Sequence, residues 1–287
     1  MCEFCAEHSE GKKWYLDMKN YSRELLVARM TGRERELAGV DTRLEWLKRF
    51  VTSFVVPAAG AAARDVEWGP DEHGDPEVVL EQWKTVHFGQ VVPLKDVPEI
   101  LSLARSVTRM PCGCRFRLTG KTDQRYCFGF GVVKGGSVEG FDVSSSFETM
   151  RPEAAFAIIR KFDEEGLMHS VWTGMTPYVI GLCNCDHDCA AYRGYIEDRG
   201  RPRFFRAEYV AEVNPDLCTG CKTCMKQCQF AAAFYSSADA KVTINPVRCF
   251  GCGVCAGSCP ARAITLLERS EHPRAGGIWL ETPAKTG

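Results

Sequence analysis

The chain has 287 residues, with 36 Lys and Arg against 37 Asp and Glu, a length sufficient for about two domains. This charge balance argues against nucleic acid or an anionic membrane surface as a partner. The unusual feature is the count of 16 cysteines. The first residues, MCEFCAEHSEGKK, lack the apolar core of a secretion signal. We therefore interpret the thiols as metal ligands in a reducing compartment, and we expect the protein to be cytoplasmic.

Residues 50–63 form the longest weakly polar run in the sequence. The run is shorter than the roughly 20 residues that a membrane-spanning helix needs, and Pro57 and Gly60 interrupt it. We expect no transmembrane segment and no peripheral membrane contact.

The fold class that the sequence predicts is α+β. Residues 1–84 are expected to be mainly helical, with a pair of helices between residues 12 and 50 that is divided near Gly39. Apolar residues recur there at helical intervals; they include Leu25, Leu26, Met30, Leu37, Leu44 and Leu47. Residues 68–77 are rich in turn residues and predict a loop or domain seam.

Residues 85–205 are predicted to form a Cys-rich domain of mixed α and β structure. A short β-like run lies in residues 84–94, and two short strands are predicted in residues 166–172 and 177–182. One helix is expected between Pro98 and Pro111, because Ile100, Leu101, Ala104, Val107 and Met110 fall on one helical face. A second helix is expected over residues 152–165. We expect the cysteines of this domain to lie in loops after these elements.

Two segments near the C-terminus repeat each other. Residues 213–228 and 244–260 both contain the spacing C-x2-C-x2-C-x3-C, and each cysteine of the first segment has a counterpart 31 residues later. In this spacing a tight loop places three thiolates around one face of an iron–sulfur cluster, and a following helix carries the fourth thiolate away. The signal for iron–sulfur clusters is therefore strong.

Residues 206–270 resemble a bacterial two-[4Fe-4S] ferredoxin domain. The resemblance implies a pseudo-twofold (βαβ)2 fold that transports single electrons. It implies one cluster, cluster 1, on Cys218, Cys221, Cys224 and Cys259, and a second, cluster 2, on Cys249, Cys252, Cys255 and Cys228. Residues 271–287 are then a tail.

One residue departs from the pattern of this family. Gln229 follows Cys228 where the family usually has proline, whereas Pro260 keeps the family residue after Cys259. We expect a less rigid turn after Cys228 and a different environment for its cluster.

The middle region contains six further cysteines, which exceed one tetrahedral site. We expect an additional iron–sulfur centre there. A zinc or mononuclear iron site that uses Cys183, Cys185 and Cys189 with His187 is one alternative, and buried free thiols are another. We expect each C-x-C pair to need a turn before both thiolates can bind one metal. The six are Cys112, Cys114, Cys127, Cys183, Cys185 and Cys189.

Three smaller patterns add further expectations. Cys2, Cys5 and His8 have the spacing C-x2-C-x2-H and predict a metal site that needs a ligand from elsewhere. Residues 192–206 carry five arginines and indicate either a solvated linker or a basic surface for an acidic redox partner. His87 and His169 lie among apolar residues, and we expect both to be hydrogen-bonded core histidines.

The sequence thus predicts an oxygen-sensitive electron-transfer protein of anaerobic metabolism. Electrons would pass through two [4Fe-4S] clusters to or from the additional centre, and the protein would serve a redox partner or a larger oxidoreductase complex. The middle region resembles, more loosely, Cys-rich regions of uncharacterised ferredoxin-domain proteins of anaerobes. Two alternatives stay open: a reductase whose middle centre binds substrate, and a ferredoxin fused to a zinc-stabilised docking adaptor.

Overall fold

The fold is described from a computed structural model for residues 11–21, 45, 50–60, 78, 89–104, 107–130, 137–138, 141–142, 144–174, 178–189 and 204–280. The predicted helix pair around Gly39, the predicted loop 68–77 and His87 lie outside these residues. So does the C-x2-C-x2-H motif of Cys2, Cys5 and His8.

The described N-terminal segments are short turns that pack into the protein. Residues 11–21 contain two 3₁₀ turns, Trp14–Leu16 and Met18–Asn20, rather than the start of a long helix. The apolar run around Pro57 forms a π turn, Val51–Val55, followed by a 3₁₀ turn, Pro57–Ala59, and most of its described side chains are buried. In the described part of the chain, no helix is both long enough and apolar enough to cross a membrane.

The middle region is built on strands and three short helices. In chain order they are β1 (Gly89–Val92), α1 (Val97–Leu103), β2 (Val107–Met110), α2 (Gly113–Thr119), β3 (Cys127–Phe130), β4 (Ser137–Val138), β5 (Phe141–Asp142), β6 (Glu148–Met150), α3 (Pro152–Glu164), β7 (Met168–Thr173) and β8 (Val179–Cys185). Among the described residues, six strands form one antiparallel sheet in the order β1, β7, β8, β3, β2, β6. Strands β4 and β5 pair separately.

One face of this sheet carries apolar core side chains, and the other carries cysteines. Side chains alternate between faces along a strand. Phe128 of β3 and Leu182 of β8 pair across the strands and join the apolar core that includes Ile159 of α3 and Ile100 of α1. Their neighbours Cys127, Cys183 and Cys185 therefore project from the opposite face.

The C-terminal region is a pair of repeated β-α-β units. The elements are β9 (Tyr209–Val213), α4 (Thr223–Gln227), β10 (Ala233–Ser236), β11 (Lys241–Ile244), α5 (Val254–Gly257) and β12 (Ile264–Glu268). Strand β9 pairs with β12, and β10 pairs with β11, both antiparallel. Helices α4 and α5 each begin two residues after the second cysteine of their motif, as the sequence repeat requires.

The helix predicted between Pro98 and Pro111 is correct only in its first half. Helix α1 ends at Leu103, and Val107–Met110 is strand β2. Strand β2 lies between β3 and β6 and pairs with both, so tertiary pairing of this β-branched segment overrides a helical periodicity that the sequence alone favours. The predicted helix over residues 152–165 and the strands near 166–172 and 177–182 are confirmed as α3, β7 and β8.

The interpretation of residues 192–206 as a solvated linker is wrong at its C-terminal end. Phe204 and Arg206 are fully buried and Phe205 nearly so; residues 190–203 lie outside the described ranges. The backbone of Phe205 donates to Gly89 at 2.8 Å and accepts from Val91 at 2.9 Å. The chain thus enters the ferredoxin-like region by pairing along the edge of β1, which ties the two regions together.

The close approach of β8 to β3 gives a test of the sheet. A Cβ atom at Gly181 would lie 2.7 Å from the carbonyl oxygen of Phe128, so the strands would have to separate. We expect Gly181→Ala to lower the free energy of unfolding by about 1 to 3 kcal/mol, measured by denaturant unfolding under anaerobic conditions. Gly277→Ala, where an added Cβ meets no atom within 4 Å, is the matched control. Equal stability of the two variants would contradict this account.

Candidate metal centres

The eight repeat cysteines line two recesses in the ferredoxin-like region. Cys218, Cys221, Cys224 and Cys259 border one recess, with about 310 Å³ of space not filled by protein atoms. The other recess has about 370 Å³ of such space and is bordered by Cys228, Cys249, Cys252 and Cys255. The structure therefore brings together the same two sets of four that the ferredoxin resemblance implies, with the fourth cysteine of each repeat in the other repeat's recess.

Backbone N–H groups point at the sulfurs of these cysteines in repeat-related pairs. Val242 donates to Cys218 Sγ at 3.5 Å, and its counterpart Ala211 donates to Cys249 Sγ at 3.4 Å. Similarly, the amide of Ala263 lies 3.3 Å from Cys259 Sγ, and that of Ala232 lies 3.2 Å from Cys228 Sγ. Hydrogen bonds to ligand sulfur stabilise negative charge there and tune the reduction potential of a cluster. The donor set thus fits iron–sulfur chemistry.

Two glycines allow the loops to pass close to neighbouring backbone. Gly220 and Gly251 are repeat counterparts, and both have φ of +70°. A Cβ at Gly220 would lie 2.2 Å from the oxygen of Ala240, and one at Gly251 would lie 2.0 Å from the oxygen of Tyr209. Only glycine satisfies both the backbone conformation and the space at these positions.

The two recesses differ in their exposure to solvent. Cys221 in the first recess is exposed, and a backbone hydrogen bond from Thr223 lowers its pKa. In the second recess, Cys249 and Cys255 are buried, and burial raises the pKa of each. The first recess therefore contains the one exposed cysteine of the eight, whereas all four cysteines of the second recess are buried or partly buried.

A buried arginine supplies positive charge beside the second recess. Arg269 is fully buried and donates to the carbonyl oxygens of Ala207 at 2.7 Å, Tyr209 at 2.8 Å and Cys249 at 2.8 Å. Burial lowers the pKa of Arg269 to about 10, so it stays protonated at neutral pH, and its charge acts on Cys249. Sequence reasoning did not identify Arg269 as a functional residue, because it lies outside the cysteine motif.

Removing this charge tests its effect on the second recess. We expect Arg269→Gln to make the midpoint potential of one of the two clusters more negative, because adding an electron loses a stabilising cation nearby. A redox titration followed by electron paramagnetic resonance measures the shift. Arg269→Lys keeps the charge and should shift the potential less, and Arg274→Gln, at an exposed arginine, should leave it unchanged. Identical potentials for Arg269→Gln and the parent protein would contradict the assignment.

The six middle cysteines lie together on one face of the sheet. Cys112 and Cys114 begin α2, Cys127 begins β3, Cys183 and Cys185 end β8, and Cys189 lies in the turn that follows. Cys127 is opposite Cys183 in the strand pairing, with the sulfurs 3.5 Å apart, and Cys185 and Cys189 are also 3.5 Å apart at sulfur. None of the fourteen cysteines that the structure describes is in a disulfide.

Two expectations about these cysteines are wrong. Cys127, Cys183 and Cys185 lie within strands, not in loops after them, since β3 and β8 extend through them. The Cys183–Cys185 pair also needs no turn to present both thiols on one side, because residues two apart in a strand project from the same face. The other pair does bend, since Cys112 precedes α2 and Cys114 lies in its first turn.

Charged and polar groups surround the thiols. Arg115, only 4% exposed, is paired with Asp186 at 2.8 Å and stacks on Tyr126 with its guanidinium carbon 3.7 Å from the ring centroid. Its Nε is buried without a hydrogen-bond partner, and a cluster sulfur or thiolate would provide an acceptor. His187 is exposed on the turn between Cys185 and Cys189.

His169 is fully buried on the other face of the sheet from the thiols. It is hydrogen-bonded to Asn184 at 2.7 Å and to Asp163 at 3.3 Å. It is therefore the core histidine that the sequence predicts.

Four of the six middle thiols share one apolar cluster with two cysteines of the second recess. The members from the middle region are Cys114, Cys183, Cys185 and Cys189, and those from the ferredoxin-like region are Cys228 and Cys252. Phe230 and Phe250 lie in the same cluster, with their rings stacked at 4.1 Å. The two groups of cysteines thus pack into one apolar core.

Gln229 joins the same two groups by hydrogen bonds. Its side-chain amide donates to the carbonyl oxygen of Gly166 and, at 3.4 Å, to that of Cys185. Proline, the usual residue at this position in the family, has no side-chain donor. Gln229, which departs from the family pattern, therefore forms a contact between the two regions.

Within the described residues, no group of three His, Cys, Asp or Glu side chains is arranged to hold a single metal ion.

Residues 217–264 match the family model of the 4Fe-4S dicluster domain. The match confirms the ferredoxin resemblance of the C-terminal region, and it supports [4Fe-4S] clusters and an iron–sulfur electron-transfer role. No match was found among curated proteins.

Proposed function

We propose that this protein relays single electrons between a partner oxidoreductase and a metal centre on the six middle cysteines, through two [4Fe-4S] clusters. The cluster on Cys218, Cys221, Cys224 and Cys259 is the outer one. The cluster on Cys228, Cys249, Cys252 and Cys255 is the inner one. Such clusters accept and release one electron at a time when bound.

The observation that carries this proposal is the shared apolar cluster between the inner cysteines and the middle thiols. Electron transfer needs short distances between centres and a rigid, dry path. Cys228 is followed directly by Gln229, whose side chain reaches the backbone of Cys185. The chain therefore provides a continuous connection from the inner cysteines to the middle thiols.

The outer end of the proposed relay has the features of a docking site. Cys221 is exposed, and the large apolar side chain of Leu217, which precedes Cys218, is 52% exposed. Lys222 lies over the ring of Tyr235. A redox partner with an apolar patch and acidic residues fits this surface.

A reductase whose middle centre binds substrate is the second candidate. Cys114, Cys127 and Cys183 are only partly buried, whereas Cys112, Cys185 and Cys189 are buried, so a substrate would approach from the side of the first three residues. Under this alternative the same relay delivers electrons to a substrate at the centre instead of to a further carrier.

Metal analysis tests the proposal directly. We expect iron well above the about 8 Fe per chain that two [4Fe-4S] clusters supply, reaching about 12 or more with a further cluster. Iron, sulfide and zinc are quantified after anaerobic purification of the full chain. About 8 Fe with one Zn per chain would replace the proposed relay with the zinc-stabilised adaptor.

The role of Gln229 is tested by Gln229→Leu, which keeps the volume and removes the amide donor. We expect the iron content to stay unchanged and electron transfer between the dicluster domain and the middle centre to slow. Rapid-mixing reduction followed by absorbance measures the rate. Gln229→Asn, whose shorter amide cannot reach Cys185 in the same way, should slow transfer similarly. Parent-like rates in both variants would show that this contact is not on the path.

A further inference from the structure

We propose that all six middle cysteines bind one polynuclear iron–sulfur cluster with more than four thiolate ligands. This inference rests on the proposed function, because it specifies the centre at the inner end of the relay. It goes further than the expectation of an additional iron–sulfur centre, because it makes all six cysteines ligands of the same cluster.

The six thiols form one group beside the sheet, here called the six-thiol group. The sulfurs of Cys127 and Cys183 are 3.5 Å apart, as are those of Cys185 and Cys189. Cys114 lies in one apolar cluster with Cys183, Cys185 and Cys189. Cys112 follows strand β2, whose last residue, Met110, pairs with Cys127.

The six-thiol group holds two thiols more than a four-ligand site needs. A [2Fe-2S] or [4Fe-4S] cluster takes four cysteines, and a zinc site takes four ligands around one point. Any choice of four leaves two thiols unused in the same group, in which each cysteine is buried or partly buried. A single larger cluster with six thiolate ligands uses all of them.

Four segments contribute cysteines to the six-thiol group. They are the start of α2, the start of β3, the end of β8 and the turn at Cys189. Strand pairing fixes the positions of Cys127 and Cys183 independently of any metal. Because distant segments are held at one place by the fold, the six thiols are preorganised as one ligand set.

The surroundings favour a cluster over a pair of zinc ions. Arg115 follows Cys114 in α2 and is paired with Asp186, which follows Cys185, so a buried positive charge with an unsatisfied Nε lies within the group. Sulfide atoms of a cluster are acceptors for such a donor. Four of the six thiols also lie in the same apolar cluster as Cys228 and Cys252, where a redox-active centre has a use and redox-inert zinc has none.

The test replaces each of the six cysteines singly with alanine in the full chain, purified anaerobically. Iron and acid-labile sulfide are measured together with the electron paramagnetic resonance signals of the dicluster domain, which report that each variant is folded. We expect all six variants to lose the same increment of iron above about 8 Fe per chain, or the same spectroscopic signature. Ser170→Ala, buried opposite Cys183 in β7, should retain it.

Each other outcome is decisive. If two of the six variants keep parent-like iron, sulfide and spectra, the centre has four ligands; this inference fails and the relay stands. If the parent protein contains about 8 Fe per chain and no electron paramagnetic resonance signal beyond those of the dicluster domain, both this inference and the proposed relay fail. If the variants lose about two zinc ions per chain instead of iron, the six-thiol group is a zinc site, and both this inference and the proposed relay fail. If variants lose the dicluster signals too, the cysteine-to-serine series, which conserves volume and polarity, provides the comparison, and the same criteria apply.

Discussion

The antiparallel pairing of β3 with β8 is the constraint on which the centre of the molecule depends. It sets Phe128 against Leu182 on the face covered by α3, and it therefore sets Cys127 against Cys183 on the other face. A shift of one residue in this register would exchange the two sets, burying thiols in the aliphatic core and turning Leu182 toward the middle cysteines. The apolar core on one face thus fixes the arrangement of the thiols on the other.

Burial and charge act against each other around the inner cysteines. Removing thiolates from water is unfavourable, as the raised pKa of Cys252 shows. Arg269, and Arg206 over the ring of Phe250 at 4.5 Å, place cations in the same interior. Backbone carbonyl groups accept hydrogen bonds from both arginines, and the charge of Arg269 acts on Cys249. The exposed outer site has water for this purpose and lacks an equivalent buried arginine among the described residues.

The sequence predicted what depends on local spacing. The two C-x2-C-x2-C-x3-C segments specify loop and helix within a few residues, and the ferredoxin resemblance that they carry implies the grouping of the eight cysteines. The helix at Pro152–Glu164 was predicted for the same reason. Val107–Met110 was assigned to a helix because its pairing with β3 and β6 comes from residues far along the chain. The association of Cys112 with Cys127 and Cys183 likewise depends on strand order, and no single-sequence periodicity contains strand order.

Gln229 shows how a local departure in sequence gains meaning only from the fold. Read alone, the loss of proline after Cys228 predicts a looser turn. In the structure the residue is only partly exposed, and its amide is bonded to the backbone at Gly166 and Cys185, so the turn is held by the neighbouring region instead of by a proline ring. Pro260, at the equivalent position of the other repeat, follows a cysteine of the outer site. The repeat therefore keeps its self-contained turn beside the outer recess and replaces it, beside the inner recess, with a residue that binds the six-cysteine domain.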